Sequence, residues 1–514
     1  HNSSAPPARI SAISAVKKKR TKQPASSSRD AFRYRQLAGE IEKKIFAGLY
    51  PPGDRLPSIR SLHRQTNLSI STIYQAYREL ESAGVVVARP KSGYYVQPIA
   101  MQKLEVPVFR KKSSAPQRVS LAPAINSVVE AISNPRLVPL GNTAMDPALL
   151  PVKPLARILR SITHNEMRTL LTYSPSEGHP ELRRQIALRT TGVMAGIAPD
   201  DIIVTNGCME AVALALLAVT RPGDTVAIEA PTNFSFLQLL KELGLLVAEI
   251  ATDPQEGVDL DELEKILDRN SIRACLFMPN FQNPLGALMS EANKQRLVER
   301  LSVRGVPVIE DDISSQLYFG DPHPRPLKAY DRNARVLTCS SFSKTLAPGL
   351  RLGWIIPDRR YNAKIRRLKA GITMSTSTLD QCVVSRFLSG GGYERHLRTL
   401  RSALKRQLYR TALEIRKQFP PQTRLAIPQG GSLLWVQLPP GVDGLDVYQA
   451  AFDRGIAIIP GVVCSNSDRF RNYIQISCAA PFSPKLKAAI EMLGAIVDSL
   501  LSQPVCSRQA PYRP

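Results

Sequence analysis

Ser340-Ser341-Phe342-Ser343-Lys344-Thr345-Leu346-Ala347-Pro348-Gly349-Leu350-Arg351-Leu352-Gly353-Trp354 sets one lysine among hydroxyls, with an arginine seven residues further on. A lone lysine is usually a solvated surface group. Here the apolar run Arg335–Cys339 leads into it, so Lys344 falls past the carboxyl end of a strand, where open α/β sheets bind ligands. The grouping suits a lysine that holds the aldehyde of pyridoxal 5'-phosphate (PLP). Ser341, Ser343 and Arg351 would then surround the phosphate, which a guanidinium can grip with two prongs.

PLP also needs an acid that keeps its ring nitrogen protonated. Asp311, with Asp312 as the alternative, follows the apolar run Val306-Pro307-Val308-Ile309. Asn283, in Asn280-Phe281-Gln282-Asn283-Pro284-Leu285-Gly286, is placed to donate to the ring oxygen. In Thr205-Asn206-Gly207-Cys208-Met209-Glu210, between a strand and a helix, Gly207 permits a tight turn and the amides of Cys208 and Met209 point at the phosphate. Each piece alone is weak, but their order along the chain is a strong joint signal. From about residue 136, helical patterns alternate with strand-like runs at 201–205, 225–228, 274–278, 306–310 and 335–339. That alternation predicts an α/β domain with a large, mostly parallel sheet covered on both faces. After about residue 385, long helices precede a smaller C-terminal α/β part that includes Ser432–Leu438 and Tyr473–Ser477.

The first hundred residues read differently. Tyr34–Phe46 has helical apolar spacing; Ser58 caps a second helix through Gln65; Ser69 caps a third, in which Ile73, Ala76, Tyr77 and Leu80 share the inward face. Ser71, Thr72, Tyr74, Gln75 and Arg78 then face out. Val85–Arg89 and Tyr94–Val96 flank the basic turn Pro90-Lys91-Ser92-Gly93. The expectation is a winged helix-turn-helix whose third helix enters the major groove of promoter DNA, with the wing beside the backbone.

Charge agrees with this division. The 514 residues carry a formal +25, and residues 1–118 hold 22 Lys+Arg against 7 Asp+Glu, whereas the rest hold 46 against 36. An anionic partner is implied on the N-terminal side. Residues 1–31, with Lys17-Lys18-Lys19-Arg20, read as a disordered basic arm, 99–135 as a linker and 503–514 as a tail. The seven cysteines are scattered without a CxxC pair, which argues against a zinc site or a disulfide framework and fits a reducing, cytoplasmic setting. No secretory core is expected in the first thirty residues, and the apolar runs fall far short of the ~20 residues of a membrane span.

Leu56-Pro57-Ser58-Ile59-Arg60, Leu68-Ser69-Ile70-Ser71-Thr72 and Ala88-Arg89-Pro90-Lys91-Ser92-Gly93-Tyr94-Tyr95-Val96 resemble the GntR family's DNA-binding domain. The resemblance implies DNA contact by Arg60, Ser69, Ser71, Thr72, Tyr74 and Lys91; Ile70 stands where many members carry a basic residue. From about 139 to 500 the chain resembles fold-type I aminotransferases, including Tyr173-Ser174-Pro175-Ser176-Glu177-Gly178. In that family the tyrosine matching Tyr173 reaches the phosphate of the neighbouring subunit, which implies a homodimer. Ser375–Gln381, Tyr393–Arg398 and the joining of the two parts are similar to the MocR subgroup. This resemblance implies a bacterial regulator, nucleoid-associated when bound to DNA, that senses PLP or a PLP-reactive amine.

Three positions depart from the aminotransferase pattern. Gln475 stands where the arginine for the substrate carboxylate is expected, although Arg469 and Arg471 lie close by. Glutamine cannot make a charge-assisted two-pronged pair. Ile313 replaces a tyrosine after the ring-nitrogen aspartate, and Asn233 replaces the aromatic residue that stacks on the ring, with Phe234 one position late. These departures favour a regulator over a working aminotransferase with an accessory DNA-binding domain. Retention of Lys344, Asp311, Asn283 and Arg351 speaks against a mere dimerisation scaffold.

Overall fold

The computed structural model describes residues 27–502 except 47–48, 51–52, 83, 91, 98–106, 108–113, 195, 321 and 334. The basic arm up to residue 26, Lys91 of the wing, most of 98–113 and the tail lie outside the described residues.

The N-terminal unit packs α1 (Ser27–Phe46), α2 (Ile59–Thr66) and α3 (Ile70–Ser82) beside an antiparallel hairpin of β1 (Val86–Arg89) and β2 (Gly93–Val96). Ser58 caps α2 by accepting from the Ser61 amide, and Ser69 Oγ accepts from the Thr72 amide at 3.1 Å at the start of α3. Ile73, Ala76, Tyr77 and Leu80 bury one stripe of α3 against Leu37, Ile41, Ile45 and Leu62. This is the expected winged helix-turn-helix.

The large unit is built on a nine-stranded sheet, whose principal order is 117–118, 246–253, 225–230, 272–277, 308–311, 336–341, 353–356, 203–205. The five strands from 246–253 to 336–341 are parallel to their neighbours in that order. Thr225–Ala230 and Val336–Ser341 are buried along their whole length, so neither shows the alternation of a half-exposed strand. Gly353–Ile356 is antiparallel to both 336–341 and 203–205. A four-stranded antiparallel sheet of 424–425, 433–437, 473–477 and 459–460 forms the smaller C-terminal part.

Two features depart from the expected organisation. Part of the span read as linker is built into the large unit: Gln117–Arg118 pairs with the strand 246–253, and the helix Ile125–Ser133 buries Ile125, Val128 and Ala131. The strands 246–253 and 353–356 carried no distinct signal of their own. The second is only four residues long and directly follows the lysine–arginine stretch.

Candidate cofactor cleft and DNA-facing surface

The antiparallel pairing of 336–341 with 353–356 makes the stretch between them a connection between neighbouring strands. Lys344 and Arg351 are therefore held at one end of the sheet. Thr205 pairs with Gly353, which brings the turn after the strand 203–205 against the same place. The fit is tight. A Cβ on Gly353 would lie 2.5 Å from the Gly207 carbonyl carbon, and one on Gly207 would lie 2.4 Å from Arg351 Nη2. Gly207 has φ 91° and ψ 173°, a conformation essentially restricted to glycine. It opens the helix Cys208–Val219, whose first-turn amides lack intrahelical partners, and the Arg351 guanidinium donates to Asn206 O beside it at 3.2 Å.

These elements enclose a cleft of about 290 Å³. Lys344, Asp311, Asn283, Cys208, Met209, Ser343 and Arg351 all line it. Asp311 Oδ1 accepts from the Ile313 amide at 3.0 Å and from the Cys208 thiol at 3.3 Å. Burial raises its carboxyl to about 6, against the opposing pull of those two donors and Lys344, so it is ionised at neutral pH. Lys344 Nζ donates to Thr143 O at 2.8 Å and meets Thr143 Oγ1 at 2.9 Å. Burial lowers the lysine to about 8, with Asp311 acting the other way. Asp312 points to the opposite side, accepting from Asn280 Nδ2 and Ser315 Oγ, and does not line the cleft.

The residues present fit PLP. A buried carboxylate, an amine near neutrality, a glycine-only turn at a helix N-terminus and an arginine packed on that turn converge on one cleft. Lys344 would hold the aldehyde, Asp311 the ring nitrogen and Asn283 the ring oxygen. The Cys208 and Met209 amides, Ser343 and Arg351 would hold the phosphate.

Two further cofactor residues are expected from the sequence. Ser341 is buried at the end of its strand, where its Oγ accepts from the Ser343 amide at 3.2 Å and holds the turn that carries Lys344. Tyr173 is 82% exposed and outside the cleft of its own chain. Sequence reasoning missed Thr143 and its neighbour Asn142. They sit some two hundred residues from Lys344, beyond a two-residue strand, and carry no local pattern.

Among the departures, Ile313, Asn233 and Phe234 all line the cleft, so both Asn233 and the aromatic residue beside it reach the site. Gln475 is 1% exposed and pairs across the sheet with Trp435 and Ile459. Ile459 lines the cleft, and as its cross-strand partner Gln475 projects from the same sheet face beside it without itself lining the cleft. Gln475 Nε2 has no hydrogen-bond partner among the described residues. The nearby arginines are engaged elsewhere: Arg469 with the buried Glu249 and Arg471 with Asp443 at 2.7 Å. Asp311, Lys344 and Arg351 are the charged side chains of the cleft among the described residues.

On the N-terminal unit, Arg60, Ser69, Ser71 and Tyr74 are exposed along one surface formed by α2 and the start of α3. Thr72 is the exception. It is 5% exposed, and its hydroxyl lies 2.7 Å from Ser69 Oγ. It belongs to the cap of α3. The outward assignment failed because position 72 lies next to the buried Ile73 at the edge of the inward stripe.

Residues 143–493 match the family described as aminotransferase class I and II, and residues 33–96 match the bacterial regulatory proteins of the gntR family. The HTH-type transcriptional regulator YjiR of Escherichia coli (strain K12) is 36% identical over 467 residues, covering 90% of this chain and 98% of its own. The α-aminoadipate aminotransferase LysN of Thermus thermophilus, solved with N-(5'-phosphopyridoxyl)-L-leucine, superposes with a TM-score of 0.68 at 26% identity, over 74% of this chain and 96% of its own. The kynurenine aminotransferase of Pyrococcus horikoshii, solved with PMP, has a TM-score of 0.70 at 26% identity, over 75% and 96%.

Proposed function

The chain belongs to the MocR subgroup of GntR-family transcriptional regulators, a winged helix-turn-helix joined to a PLP-binding class I and II aminotransferase domain, and we propose that occupancy of the cleft around Lys344 sets how it acts on promoter DNA. PLP supplies an aldehyde with which an amine can condense. The chain's own groups divide the work of holding it as described above, and Lys344, lowered to about 8, supplies an appreciable fraction of neutral amine near physiological pH.

One observation carries the sensing role over transamination. Lys344, Asp311 and Arg351 are the charged groups of the cleft among the described residues; PLP would engage all three, and Gln475 supplies no cation for a substrate carboxylate. The effector is PLP itself or an amine without an α-carboxylate. The DNA contacts are assigned to Arg60, Ser69, Ser71, Tyr74 and the wing, the reader to 32–98, and the large unit to 136–502 together with the strand and helix of 117–133 that pack into it. The working form is a homodimer. Tyr173, Leu171 and Met167, close together in sequence and exposed in the single chain, support it, because a cluster of large exposed apolar groups is unusual for a free face.

The test is a half-reaction. Protein loaded with PLP is mixed separately with each common α-amino acid and with amines lacking an α-carboxylate, and the visible spectrum is followed. Spectral change with the amines only is expected; efficient conversion of a common α-amino acid would overturn the sensing role.

A further inference from the structure

The helix Gly392–Gln418 has 27 residues and so runs about 40 Å. At its start it touches the residue after the cofactor lysine. The Tyr393 hydroxyl meets Thr345 Oγ1 at 2.8 Å, and His396 Nε2 meets Thr345 O at 2.9 Å. Arg401 Nε donates to Gln316 O at 2.6 Å, on the segment that follows Asp311 and Asp312. Leu397, Leu400, Leu404, Leu408, Ala412 and Ile415 bury the body-facing stripe.

A second stripe, Ser402, Lys405, Tyr409 and Leu413, meets the DNA reader. Their spacings of three and four put them on one helix face. Lys405 Nζ pairs with Glu42 of α1 at 3.0 Å, and Ser402 Oγ donates to Glu79 of α3 at 3.4 Å. Tyr409 packs on the reader's core, and Leu413 Cδ1 lies 3.2 Å from the Cβ position of Gly84. Glu42 is buried although it is a carboxylate, and its ion-pair partner comes from the other unit. Buried charges are kept only where they are paired. The surface of Arg60, Ser69, Ser71 and Tyr74 stays exposed, so the long helix and DNA would grip different faces of the reader.

We propose that the stripe Ser402–Lys405–Tyr409–Leu413 is the docking surface of the DNA reader, and that its helix carries the state of the Lys344 turn to that reader, with Glu42–Lys405 as the latch. The coupling rests on the PLP-sensing function proposed above. A helix packed along most of its length moves as a unit. A shift of the turn at Thr345 therefore displaces Tyr393 and His396, and with them the reader's seat. PLP must favour one placement of that seat over another, because equal affinity for both shifts nothing.

The test uses the full-length chain and a fluorescent duplex enriched by the protein from random DNA. DNA affinity is measured with and without PLP for the wild type, Glu42→Gln, Lys405→Met and the charge-swapped Glu42→Lys/Lys405→Glu. Hydrogen exchange of α1 is read in parallel. PLP is expected to change wild-type affinity by about 5-fold or more, the usual scale of coupling between sites. Each single variant keeps the visible band of bound PLP but loses most of that change and exchanges α1 amides faster; the swap restores both. Single variants that respond to PLP as the wild type does would overturn the latch and leave the sensing function standing. A wild type whose DNA affinity changes neither on adding PLP nor on adding an amine to the PLP-loaded protein would overturn both.

Discussion

Gly207→Ala tests the phosphate cup at its tightest point. The added methyl would sit 2.4 Å from Arg351 Nη2, closer than Cβ atoms come to any neighbour, and 3.0 Å from its Cζ. The guanidinium must leave the turn, and the backbone must hold φ 91° with a side chain attached. The backbone strain costs on the order of 1–3 kcal/mol, which appears as reduced stability of the PLP-free protein. Losing the arginine's charge-assisted hydrogen bonds costs about 1.5–3 kcal/mol of PLP binding, or about 10- to 150-fold in affinity. PLP titration followed by visible absorbance reads the second effect, and circular dichroism melting of the PLP-free protein reads the first. Arg351→Lys should weaken PLP to a similar degree. The double variant should be little worse than the weaker single one, because both changes remove the same contact. Wild-type PLP affinity in Gly207→Ala, or full additivity in the double variant, would refute this picture of the cup.

Lys344→Ala should abolish the visible band of bound PLP while leaving DNA binding measurable by anisotropy, since the reader has its own core. Capture of PLP should follow the neutral fraction of Lys344. Its rate rises about tenfold per pH unit below about 8 and levels off above, as stopped-flow absorbance would show; an ordinary lysine would keep gaining up to 10.5. Arg60→Ala should weaken DNA binding and lower the slope of log affinity against log salt by about one, if its guanidinium meets a phosphate. Tyr173→Ala should lower PLP affinity while sedimentation still reports a dimer, because the side chain is free in its own chain.

The cofactor cleft was legible because its parts sit at strand ends and turns, where spacing carries meaning. Lys344, Asp311 and Arg351 could be placed from the runs that precede them, and the structure brings them to one cleft. The sequence left Asp312 as the alternative to Asp311; consecutive residues at a strand end face opposite ways, and the structure turns Asp311 to the cleft and Asp312 away from it. Thr143 was illegible because its role comes from a fold-back across two hundred residues. For Ser341 the sequence placed a hydroxyl near the lysine but did not show that it also accepts from the Ser343 amide and so shapes the turn. Thr72 failed at the edge of a helical stripe, where a one-residue step decides between solvent and core. The seat of the reader on the long helix left no trace in either segment. Glu42 and Lys405 are ordinary surface residues until the two units meet.

The central claim is that one chain reads DNA according to what its cleft holds. The most direct measurement is the affinity of the full-length protein for its enriched duplex, with and without PLP, in the wild type and in Lys344→Ala, with visible absorbance recorded on the same samples. The account predicts a bound-PLP band and a PLP-dependent affinity in the wild type, both lost in Lys344→Ala, with DNA binding itself retained. A wild type that shows the band but binds DNA identically with and without PLP would contradict it.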